Sequence, residues 1–123
     1  MFYAESGAAM SGYDVVSYFT SGGPELGQPE IAVMWKGAAW HFASHANREA
    51  FEANPRAYAP QFGGYCAYAI AQGHIVSTDP TAWRVVDGKL YLTHSKQIEQ
   101  MWLRDVPGFI ARAEGNWPAV LYD

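Results

Sequence analysis

Asp87-Gly88, set between Arg84-Val85-Val86 and Leu90-Tyr91-Leu92, is the feature that most restricts how this chain folds. An Asp-Gly pair tolerates the positive φ that a two-residue hairpin turn needs at both central positions, so two short antiparallel strands are expected here. Lys36-Gly37 stands in the same way between Ile31-Ala32-Val33-Met34-Trp35 and Ala38-Ala39-Trp40-His41-Phe42, and predicts a second hairpin. The rest of the chain is cut just as short. Gly12 to Phe19 reads as one or two helical turns capped by Asp14. Thr20-Ser21-Gly22-Gly23-Pro24 breaks it and a loop runs on to Pro29.

Ser44 caps a helix from His45 to Asn54, and Pro55 stops it and opens a turn through Tyr58. Gly63-Gly64 precede a helix over Tyr65 to Ala71 that Gly73 closes. Asp79-Pro80 starts a single turn carrying Trp83. Ser95 caps a helix from Lys96 to about Asp105, with Ile98, Met101 and Trp102 on one face. Pro107 begins a last helix with Phe109, Ile110 and Ala113 inward, ended by Asn116-Trp117-Pro118. Two hairpins interleaved with short helices predict an α+β domain: a small antiparallel sheet from the two hairpins, packed against short helices, with helices at the C-terminal end. Residues 1–123 are read as one domain, and residues 1–11 as an N-terminal arm.

Half of the residues are apolar, enough for one core and too many for a disordered chain. Eight Lys and Arg against twelve Asp and Glu leave a formal charge of −4 and no basic stripe, which argues against a nucleic-acid partner. A single cysteine excludes an internal disulfide framework and multi-cysteine structural zinc sites. No apolar run approaches the ~20 residues of a spanning helix, so no membrane insertion is expected. Met1-Phe2-Tyr3-Ala4-Glu5 has neither the basic nor the apolar region of a secretory signal.

Trp40-His41-Phe42-Ala43-Ser44, followed by Phe51, Asn54-Pro55 and Tyr58, resembles the core of the YHS domain: an aromatic strand, a Ser cap, a helix with one inward Phe, and an Asn/Asp-Pro stop. Gly12-Tyr13-Asp14-Val15-Val16-Ser17-Tyr18-Phe19 resembles that family's opening segment. The stretch from Tyr58 to Ala67, Asp79-Pro80 with Trp83, Val86 to Leu92, and Asn116-Trp117-Pro118 are similar to one branch of the family. That branch consists of small stand-alone bacterial proteins, often exported and mostly without an assigned function. The resemblance, over about residues 12 to 120, implies metal handling and a periplasmic or exported location. Metal-associated members, similar to the TRASH domains of heavy-metal sensors and copper pumps, carry thiols at places that fall on Ser17, Ala43 and Asn47. All three thiols are absent here, so a thiolate-rich site of that type cannot form.

Cys66 is the remaining candidate. In the first turn of its expected helix, free backbone N–H groups and the helix dipole favour a thiolate; the same residue also fits a small buried hydrophobe. His41, His45, His74 and His94 offer imidazoles, and copper(I) accepts both donor types. Strand alternation puts His41 opposite Trp40 and Phe42. His45 follows the Ser44 cap beside the family's metal positions, and His74 comes eight positions after Cys66. The expected function is a non-enzymatic metal-binding or metal-handling module with Cys66, His45, His74 and His41 as ligands, for copper as Cu(I) ahead of zinc. The alternative is a metal-free module that binds a small ligand or a protein in an aromatic pocket drawn from Trp35, Trp40, Trp83, Trp102, Trp117 and the tyrosines. Thiol catalysis ranks below both, because no orienting third group or oxyanion donor can be named. Glu49, Glu52, Glu99 and Glu114 fall on helices and read as solvated.

Overall fold

Both two-residue turns take the backbone their neighbours demand. Lys36 and Gly37 have φ of 53° and 79°, and Asp87 and Gly88 have 52° and 74°, the left-handed pair that joins antiparallel strands with the correct twist. The computed structural model describes residues 1–122, the side chain of Ser6 excepted. The first hairpin is β3 (Gln28–Trp35) with β4 (Ala38–Phe42), closing at Trp35 opposite Ala38. The second is β5 (Trp83–Val86) with β6 (Lys89–Leu92), closing at Val86 opposite Lys89. A third ladder was not expected: β1 (Tyr13–Asp14) pairs antiparallel with β2 (Glu25–Leu26). The loop read as far as Pro29 is therefore strand on either side of Gly27. That residue lies so close to β4 that a Cβ would stand 2.5 Å from the His41 carbonyl carbon, a gap only glycine tolerates.

Helices begin where side-chain oxygens meet free N–H groups. α1 (Ser17–Thr20) follows Asp14, whose Oδ1 accepts from Val16 and Ser17 N–H at 2.8 and 3.3 Å. Ser44 Oγ accepts from Asn47 N–H at the start of α2 (His45–Ala53), and Pro55 opens α3 (Pro55–Tyr58). α4 (Ala67–Ala71) ends in a Schellman turn: Gly73 N–H reaches Ile70 O and His74 N–H reaches Ala69 O, at 3.0 and 2.8 Å. Ser95 caps α5 (Lys96–Trp102) and Asp105 caps α6 (Val106–Asn116).

Among the described residues the three ladders stay separate, two strands each, rather than joining into one sheet. The fold is α+β, with its longest helix at the C-terminal end. What joins the hairpins is side-chain packing. Leu90 and Leu92 enter one core with Trp40, Phe42, Phe51, Val15 and Val16. Tyr91, between them, enters a second core with Ile70, Trp102 and Ala113. Successive residues of a strand face opposite sides, so β6 forms a wall between two apolar interiors. The aromatic arm also belongs to the first interior: the Phe2 ring packs 5.3 Å from Trp35 and 5.2 Å from Trp40, and Tyr3 N–H donates to Gly63 O at 2.7 Å.

Two sequence readings change in this packing. Cys66 stands one residue outside α4 as its cap, not in its first turn. Glu99, read as solvated, is buried and pairs with Arg84 across to β5, Oε2 to Nε 3.3 Å. The inward face of α5 carries it toward the second hairpin.

Candidate functional site

Cys66 Sγ is buried and engaged by backbone N–H groups. It accepts from Ala69 N–H at 3.5 Å and from His94 N–H at 3.3 Å, and the residue is 1% exposed. Burial pushes the thiol pKa up, and the hydrogen bonds from backbone N–H groups offset part of that. The sulfur is thus held as a neutral thiol that helps cap α4. His94 approaches it with main chain only; its ring Nδ1 lies 3.0 Å from the Ser77 carbonyl, to which it must donate.

The other predicted donors lie elsewhere. His41 is half-buried on β4, against the turn at Gly12 and opposite Trp40 and Phe42. His45 is exposed at the first position of α2, and His74 is exposed just past the Schellman glycine. Among the described residues no three His, Cys, Asp or Glu side chains converge where an ion could sit.

A buried polar cluster does form, around Asp14. The carboxylate is 0% exposed and accepts from Val16 and Ser17 N–H on one oxygen, and on the other from Ala43 N–H and Asn47 Nδ2, both at 2.8 Å. Ser17 Oγ donates to the Asp14 carbonyl at 2.6 Å. Ser17, Ala43 and Asn47 are the places where the YHS resemblance aligns metal-binding thiols. In this chain they meet at a carboxylate saturated by donors, with no free lone pair demanding a cation.

Open space occurs beside Trp35. A cavity of about 350 Å3 is bounded by Phe2, Trp35 and Trp117, by Lys36 and Arg56, and by the segment Ala59–Gly63. Its walls follow from local rules. The β3–β4 turn projects Lys36, the Pro55 stop sets α3 so that Arg56 faces the same indole, and Gly63, at φ 64°, lets other groups crowd in. A Cβ on Gly63 would collide with the Met1 carbonyl and lie 3.0 Å from the Trp117 ring. Lys36 Nζ and Arg56 Cζ each stand 5.8 Å from the centre of the half-buried Trp35 ring. Such spacing gives a cation–π attraction to both.

Trp35 and Trp117 were among the aromatics the sequence nominated for a pocket; Trp40 and Trp102 are buried in the cores, and Trp83 packs edge-on against Tyr18. Lys36 and Arg56 were missed. Lys36 carried a signal: it occupies a positive-φ turn position where Asn, Asp or Gly is usual. Arg56 carried none.

The fold and cavity define a small α+β protein with an aromatic, cation-rimmed recess. Comparison of the chain with protein-family models, with curated proteins and with solved structures gave no match. None of the helices among the described residues is long and apolar enough to cross a membrane.

Proposed function

We propose that this chain is a YHS-type binding module that takes a small organic ligand in the cavity beside Trp35, rather than a metal ion at Cys66. The observation that carries the reading is the cavity itself. It is concave and partly aromatic, and its volume falls at the low end of the range for small-molecule sites. Trp35 and Trp117 supply aromatic wall, and Gln61 and the two cations offer a few polar groups to orient a guest. The meeting of Ser17, Ala43 and Asn47 at Asp14 supports the YHS resemblance, while their saturated contacts favour an organic ligand over the copper role expected of that family.

Gln61 is half-buried on the cavity wall, so Gln61→Phe fills the recess without opening a core. Ligand-detected NMR with flat one- and two-ring compounds is expected to show saturable binding to the native chain and none to that variant. Titration with Cu(I) and Zn(II), with Cys66→Ala alongside, supplies the opposing outcome. Tight one-to-one metal uptake that disappears in Cys66→Ala would overturn this proposal and restore the metal role.

A further inference from the structure

Resting on that reading of the cavity, we infer that its guest is an organic anion, a carboxylate or similar acid on a flat ring system, held by Lys36 and Arg56. Charge is the first ground. The chain has twelve acidic against eight basic residues, yet the cavity wall holds two cationic side chains and no Asp or Glu. Among the described residues neither cation forms an ion pair, as is also true of Lys89, Lys96, Arg104 and Arg112, so both charges remain available to a guest. Two cations near one indole give this wall of the cavity a positive potential, which attracts an anion.

Geometry is the second. The cations arrive from different elements, Lys36 from the β3–β4 turn and Arg56 from α3, so their convergence on Trp35 is a tertiary arrangement. A guanidinium near a ring face keeps its N–H edge free for two parallel bonds to a carboxylate, and Lys adds a movable point charge. Lys36 also sits at φ 53°, where the second hairpin uses Asp87, a backbone that favours Asn, Asp or Gly over Lys. The recess, at about 350 Å3, suits one or two fused rings with an acid group and is too small for a folded partner.

The test is a calorimetric titration of the full chain with three shape-matched probes: 1-naphthoate, 1-naphthalenemethanol and 1-naphthylmethylammonium. Naphthoate is expected to bind at least ten-fold tighter than the alcohol, with the ammonium weakest, and to weaken as salt rises. The double variant Lys36→Gln/Arg56→Gln, both at exposed positions, is expected to lose that preference while still binding the alcohol. Equal affinity for acid and alcohol, unchanged in the double variant, overturns the anion inference and leaves the cavity reading intact. Preference for the ammonium does the same. Failure of all three probes to bind overturns both.

Discussion

Asp14 shows what a single buried carboxylate can do when every lone pair is used. Four donors from two segments end on it: Val16 and Ser17 N–H, and, from the junction of β4 and α2, Ala43 N–H and Asn47 Nδ2. Removing it strands buried N–H groups, whose desolvation costs more than an average hydrogen bond is worth. Asp14→Ala is expected to lower stability by about 3 kcal/mol or more in urea unfolding, whereas Asn47→Ala, which removes one donor, costs about 1 kcal/mol. Equal effects would mean that the cluster does not act as a unit. Cys66 makes a pH-dependent case. Its folded pKa lies above the ordinary thiol value near 8.5, so the stability it contributes is intact below that pH and is lost as pH climbs through the folded value. Tyr18, also pushed up by burial, adds a second loss only above about pH 10. Thermal midpoints should stay level to about pH 8.5 and then decline. Cys66→Ala should erase the decline between about pH 8.5 and 10. At pH 7 native Cys66 should also alkylate far more slowly than a free thiol.

Elements whose signals lie within three or four residues were legible in advance. Ser44 and Ser95 each bond the N–H three positions on, Pro55 starts α3, Gly73 ends α4, and both hairpin turns fall at the dipeptides that marked them. The β1–β2 ladder was not legible, because two-residue strands have no periodicity and their pairing depends on Gly27 meeting His41 across the chain. Glu99 was misread for a related reason: helix position alone cannot show that Arg84 and the second hairpin cover it. The β3–β4 turn yields the prediction at this scale. A Lys at φ 53° costs about 1 kcal/mol relative to a residue at ease there, so Lys36→Asn should raise stability by roughly that amount. The same change removes one of the two cavity cations, so naphthoate affinity should fall. Unfolding midpoints and titration on one preparation check both. A variant that gains stability and binds as before would show that Lys36 is only a poor turn residue.

The cavity draws its walls from residues 1–2, 35–36, 56, 59–63 and 117, which no local pattern brings together. For that reason the sequence exposed the aromatic supply but not the site. Cys66 stood out because its chemistry is visible in one residue, while its burial depends on His94 and the cores around it. The division of those cores likewise appears only in three dimensions. Leu90-Tyr91-Leu92 reads as an ordinary apolar strand, but its alternation serves an interior on each side. Neither interior can then unfold without stripping one face of β6, so the two halves should melt together. Leu90→Ala and Tyr91→Ala are each expected to cost about 2–5 kcal/mol, and in each variant near-ultraviolet and far-ultraviolet circular dichroism should trace one coincident transition. If Tyr91→Ala instead split the melt, losing the α4–α6 half first while the Trp40 core persisted, the shared strand would be an incidental neighbour of two independent units.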